Sequence, residues 1–183
     1  MKLTRRWAGP WPEAGHRALT EWASGLPHRR PSGSEEAVEL WELSARECVR
    51  DLVARYNANG DTGRFDQVVD LFAPDAVMES GDGLPRHGRE EIRTIFTGAR
   101  DAARWGDHPV YLRHVTGTLQ IDVVDETTVR SRCYYFVITD IGLDHWGRYL
   151  DEFRPVDGVW KFAHRRVTVD GRNPDSLFLP DQT

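Results

Sequence analysis

Apolar residues recur at three- and four-residue steps through Val38, Trp41, Ala45, Cys48, Val49, Leu52, Val53 and Tyr56, which predicts one buried face of a long helix. Ser34 followed by Glu35-Glu36 supplies a capping hydroxyl and acids at its positive end. Asn59-Gly60 predicts its end, with Asp61 just beyond. A shorter helix is expected from about Arg64 to Phe72, stopped by Pro74. Ala76 to Ser80 and Arg86-His87 predict a hairpin around Gly81-Asp82-Gly83. Helical spacing returns from Arg89 to Arg104 with Ile92, Ile95, Phe96 and Ala99, and Trp105 to Pro109 reads as a loop.

The period then changes to two. From Tyr111 to Asp140 the chain predicts two long strands joined at Asp125-Glu126-Thr127. Val115, Leu119, Ile121 and Val123 carry one face of the first, and His114, Thr116, Thr118 and Gln120 the other. The second is almost continuously β-branched or aromatic from Cys133 to Ile138, the pattern of a strand covered on both sides. Two more strands follow, His145 to Arg154 and Val159 to Asp170, around Pro155-Val156-Asp157-Gly158. Helices first and a strand meander afterwards define an α+β domain. A twisted sheet wrapped over a long helix leaves a hollow at its open end, a favoured place for small ligands.

Residues 34–170 are therefore expected to form the domain, residues 1–33 an N-terminal arm and residues 171–183 a tail. The arm is either partly flexible or docked through Trp7, Trp11 and Trp22 on the domain or a neighbouring subunit. In the tail, Leu177-Phe178-Leu179 either covers the hollow or ends the chain freely.

Charge narrows the partners. A formal charge of −5 over 183 residues argues against nucleic acid, which needs a basic face. No apolar run approaches the ~20 residues of a membrane span. The N-terminal stretch lacks the apolar core of a secretory signal, so a cytoplasmic location is expected. Two cysteines make no disulfide framework, and Cys48 and Cys133 are expected as small buried hydrophobes. The histidines His108, His145 and His164 have no metal-ligand spacing, so no metal is expected. No phosphate loop or nucleophile motif is present, and no cofactor is expected.

Several short motifs carry a family resemblance. They are Arg55-Tyr56, Phe72-Ala-Pro-Asp75-Ala-Val, Gly88-Arg-Glu-Glu-Ile92, Arg113-His114, Gly147-Arg-Tyr-Leu-Asp-Glu-Phe153 and Asp157-Gly-Val-Trp-Lys-Phe162. In this order they resemble the SnoaL-like branch of the nuclear transport factor 2 superfamily, over roughly Ser34 to Asp170. The resemblance implies a cone-shaped α+β barrel whose helices pack on a strongly curved, mostly antiparallel sheet enclosing a pocket. It also implies a homodimer or homotrimer.

Within that superfamily the pattern is most similar to scytalone dehydratase and hexachlorocyclohexane dehydrochlorinase, which pair an Asp after the first helix with a His on a central strand. The matching positions are Asp61 and His114, the candidate catalytic residues. Tyr56, Met78, Leu112, Tyr135, Tyr149 and Arg165 are the candidate substrate-binding residues. Many relatives carry Asn four residues after the His, where this chain has Thr118. A carboxylate that fixes one imidazole nitrogen leaves the other free as a base near neutrality. The resulting expectation is a cofactor-independent, dehydratase-like lyase or isomerase acting on a small hydrophobic organic substrate. The alternatives are a non-catalytic small-molecule-binding or accessory domain, and a polyketide-type cyclase.

Overall fold

The computed structural model describes residues 38–80, 84–102, 104–105, 108–109 and 111–178. Ser34 with its acids, the tryptophans of the N-terminal arm, the Gly81-Asp82-Gly83 turn and Leu179 lie outside the described residues.

Helix α1 (Leu40–Asp61) is followed by the short α2 (Phe65–Val69), strands β1 (Phe72–Glu79) and β2 (Pro85–His87), and helix α3 (Gly88–Ala102). A two-strand ribbon, β3 (Arg104–Trp105) and β4 (His108–Pro109), stands where a loop is expected. The meander then runs through β5 (Leu112–Asp125), β6 (Thr128–Thr139), β7 (Gly142–Val156) and β8 (Val159–Arg172). The six-stranded sheet has the order β2-β1-β8-β7-β6-β5 and is antiparallel except where β1 runs parallel to β8. The sheet curves over α1, giving the cone-shaped α+β architecture that the sequence predicts.

Two of the boundary differences have a local reason, and one buried stripe is shorter than expected. Helix α1 passes through Gly60, because Gly63, at φ 70°, takes the left-handed turn that ends it; its amide bonds to the Gly60 carbonyl. Asp61 is therefore the helix's last residue rather than the first of a loop. Strand β1 starts at Phe72 and includes Pro74, which the ladder tolerates because pairing with β8 is irregular between Phe72 and Val77. The apolar stripe of α1 is buried only from Ala45 onward; Val38 and Trp41 are exposed and Cys48 is half-buried.

The core lies between α1 and the concave face. Ala45, Val49, Leu52, Val53 and Tyr56 from α1 meet Phe72, Met78, Ile92, Val129, Cys133, Tyr135, Val137, Tyr149, Phe153 and Phe162. Burial pushes the Cys133 thiol up to about 12, as expected of a cysteine acting as a hydrophobe. Arg46 Nη1 ties α1 to the carbonyl of Ile121 on β5 at 2.7 Å. Strand β6 is covered on one face only, since Tyr134 and Phe136 alternate outward and are exposed.

Candidate active site

Strand β5 does not keep one side chain parity along its length. Gly117 pairs with Tyr134 and Gln120 with Arg132, so Thr118 and Leu119 share the single residue Cys133 opposite. Thr118 takes φ 56°, and this bulge reverses the facing of the strand. After it Leu119, Ile121 and Val123 point inward; before it Leu112, His114 and Thr116 do, while Val115 is exposed. The expectation that Val115 shares the buried face is corrected by that one extra residue. The same bulge is what aims His114 into the cone.

Asp61 meets it there. Asp61 Oδ2 accepts the His114 backbone amide at 3.0 Å, and Oδ1 lies 2.6 Å from His114 Nδ1. The carboxylate side chain is 6% exposed and the imidazole 24%. An ionised carboxylate only accepts hydrogen bonds, so Nδ1 carries the ring proton and Nε2 keeps its lone pair. Nε2 makes no hydrogen bond among the described residues.

The aromatic residues expected around this pair form a continuous path of rings. The His114 ring is 6.2 Å from that of Tyr135, Tyr135 stacks on Tyr149 at 4.5 Å, and Tyr149 meets Tyr56 edge-on at 6.0 Å. All three tyrosines are buried, and burial raises the pKa of each. Tyr135 donates to the Thr168 carbonyl at 3.2 Å, and the Tyr149 hydroxyl lies 3.4 Å from Asn57 Oδ1. Leu112 is half-buried on the His114 side of the bulge, and Met78 is sealed in the core on β1. Gly147 admits no side chain, since a Cβ there would sit 1.8 Å from the Thr168 carbonyl oxygen.

Arg165 is fully buried and largely committed within the fold. Its Nε and Nη2 donate to the two Asp151 oxygens at 2.7 and 2.8 Å. Its guanidinium lies 3.9 Å from the Tyr56 ring centre, 4.4 Å from that of Tyr149 and 4.2 Å from that of Phe162. Burial opposes its charge, but Asp151 more than offsets this and the pKa is raised. Nη1 is buried and makes no hydrogen bond among the described residues.

Sequence reasoning missed Asp151, Asp144 and the placement of His145. Asp144 is an extra residue on β7, inserted between the pairs Ile138–Leu143 and Val137–His145, so that it and His145 are both buried. An acid beside a histidine at a strand start was the available signal. Glu79, another carboxylate near β1's end, is bound to His164 and Arg166 on β8. Among the described residues no group of three His, Cys, Asp or Glu could hold a metal ion, and no helix is long and apolar enough to cross a membrane.

A mostly antiparallel six-stranded sheet curved over a long helix places the chain among the cone-shaped α+β domains of the nuclear transport factor 2 superfamily. Within it, the chain belongs to the SnoaL-like domain family, which it matches over residues 41–166. Solved structures share the architecture. A candidate scytalone dehydratase from Novosphingobium aromaticivorans aligns at 21% identity and TM-score 0.61, over 70% of this chain and 86% of its own. LinA aligns at 19% identity and TM-score 0.63, over 78% of this chain and 98% of its own. A protein from Catenulispora acidiphila in complex with S-DNPA aligns at 27% identity and TM-score 0.60, over 70% and 95%. No curated protein matches the chain in sequence.

Proposed function

We propose that this domain is a cofactor-independent, dehydratase-like lyase or isomerase in which His114 is the general base and Asp61 orients it. The observation that carries this reading is the double hold of Asp61 on His114, backbone and ring, which leaves Nε2 unpaired on the concave side. A base so placed removes a proton from carbon beside a carbonyl. Electrons move into the new double bond, and either a β-hydroxyl leaves as water with the proton that His114 has taken up or that proton returns at another carbon. Asp61 stabilises the imidazolium that forms. The Nη1 donor of Arg165 is proposed to face the substrate's carbonyl oxygen, where a hydrogen bond is worth most as charge develops. Tyr56, Leu112, Met78, Tyr135 and Tyr149 are proposed to make the apolar surround. The likeness to LinA and to the candidate scytalone dehydratase from Novosphingobium supports the reaction class, and the S-DNPA complex supports a small organic ligand.

The test is deuterium uptake and double-bond formation across a panel of small β-hydroxy ketones in heavy water, followed by NMR. Turnover that vanishes in His114→Ala while ligand affinity stays supports the reading. Ligand binding with no His114-dependent exchange of any panel member assigns the domain to binding alone.

We further propose a homodimer or homotrimer formed through the outer sheet face, where Val115 pairs with Phe136 and Tyr134 lies 58% exposed. Tyr134→Arg with Phe136→Glu, followed by light scattering, is expected to yield monomers.

A further inference from the structure

Helix α1 turns one amide toward the sheet. Its buried residues are Ala45, Val49, Leu52, Val53, Tyr56 and Asn57, and of these Asn57 carries the one amide side chain. Asn57 is 7% exposed. Its Oδ1 accepts the Tyr149 hydroxyl at 3.4 Å, a long bond to a residue on β7. Strand β7 lies two places in from β5, the outer strand of the sheet, so the amide reaches into the cone. Nδ2 makes no hydrogen bond among the described residues. Nor is it sealed: the sealed and unpaired side-chain atoms among those residues are Asp122 Oδ2 and Arg165 Nη1. Both hydrogens of Nδ2 are therefore open to a partner inside the cone. A buried amide costs stability unless its polar atoms are paired, and a leucine would fill this place in the apolar stripe at lower cost. Holding the Tyr149 hydroxyl accounts for Oδ1 and leaves the donor half unused.

The position of Asn57 gives that donor a use. It stands one helical turn before Asp61, on the same side of α1. Across the sheet, the Tyr149 and Tyr135 rings stack at 4.5 Å, and the Tyr135 ring lies 6.2 Å from that of His114. Two routes thus join Asn57 to His114, one through Asp61 and one along the stacked rings. Each end carries an unpaired nitrogen, of which His114 Nε2 accepts and Asn57 Nδ2 donates.

We propose that Asn57 is a specificity-determining residue whose Nδ2 donates to a carbonyl oxygen of the ligand bound beside His114, so that this site selects small aromatic or alicyclic ketones over alkenes of the same shape. A carbonyl oxygen has two lone pairs, so this bond adds to the one proposed for Arg165. The inference rests on the proposed function only for where the ligand lies, and needs no turnover. A role confined to packing would change the affinities for ketone and alkene alike.

Acetophenone and α-methylstyrene, which exchange C=O for C=CH₂ on one skeleton, test it by NMR titration of the full-length protein. Acetophenone is expected to bind several-fold more tightly, the discrimination one neutral hydrogen bond provides, and Asn57→Ala should shrink that preference several-fold. The Asn57 side-chain amide signals, assigned by their loss in Asn57→Ala, should move downfield with acetophenone and stay in place with α-methylstyrene. Equal affinities in the wild type, binding of neither molecule, amide signals that acetophenone leaves unmoved, or a preference unchanged in Asn57→Ala overturns the proposal. Heavy water separates this from the proton-transfer reading. An acetophenone methyl group that gains no deuterium, or gains it equally in His114→Ala, sinks that reading alone and leaves the ketone preference standing.

Discussion

Asp61 closes helix α1 and grips His114 on strand β5 by two bonds across 53 residues of sequence, at 3.0 Å to the amide and 2.6 Å to the ring. The amide bond sets where the strand lies against the helix end. The ring bond sets which nitrogen is free. Asp61→Asn separates these roles, because an amide can still accept the backbone bond yet can present its NH₂ to Nδ1 and reverse the tautomer. For the proposed reaction, Asp61→Asn is expected to lower kcat by about 10²–10⁴-fold, in the range of losing a general base, with KM and the unfolding midpoint little changed. A variant that keeps kcat within threefold would remove Asp61 from the mechanism.

Thr118 pays for the aim of His114 with backbone strain. A β-branched residue at φ 56° is disfavoured by about 1–2 kcal/mol, whereas Asn accepts this region readily. Thr118 is exposed, so little packing is lost on replacement. Thr118→Asn is expected to raise stability by about 1 kcal/mol in urea denaturation, with ligand binding unchanged. A lowered urea midpoint would show that the hydroxyl or methyl contributes more than the strain costs.

The Asp151–Arg165 pair is expected to behave as a buried ion pair whose halves cannot be removed singly. Asp151→Leu or Arg165→Met alone leaves an uncompensated charge under the aromatic rings and should cost about 3–5 kcal/mol. The double variant should recover at least half of the larger single loss. Urea curves for the two single variants and the double variant measure this, and strictly additive losses would show that the pair is not coupled.

Acid should loosen the Asp144–His145 pair in two windows. The folded-state pKa of His145 is depressed, so the unfolded chain binds more protons as pH falls through its ordinary value of 6.5, and stability drops there. The folded-state pKa of Asp144 is also depressed, so its contribution, present above 3.8, is lost as pH falls further. Urea midpoints measured from pH 7.5 to 5 should slope more steeply for the wild type than for His145→Leu. Hydrogen exchange at the Leu177 amide, which Asp144 accepts, should quicken below pH 4. Parallel slopes in the two proteins would show that His145 titrates alike folded and unfolded.

Periodicity made α1, the β1–β2 hairpin, α3 and the four long strands legible, because each needs only a repeated burial pattern over many residues. Asp61 and His114 were legible through family resemblance, and they do meet. What the pattern could not reveal were single-residue events. The bulges at Thr118 and Asp144 each insert one residue and so reverse the inward parity, leaving no mark in a count of apolar positions. Gly60 and Gly63 both qualify as helix stops, and only the backbone conformation selects Gly63. Asp151 and Arg165 are charged and therefore read as surface, until the register sets them opposite each other. Tyr134 and Phe136 point outward in a run that sequence alone reads as fully covered.

Strand β1 lies parallel to β8, Phe72 beside Phe162, so the N-terminal half of the domain docks on the last strand to leave the ribosome. The β5–β8 meander can zip from its own turns, whereas the pairing of β1 has to wait for β8. The β1–β8 contact therefore spans the largest sequence separation of any pairing in the sheet, and its closure is expected to set the folding rate.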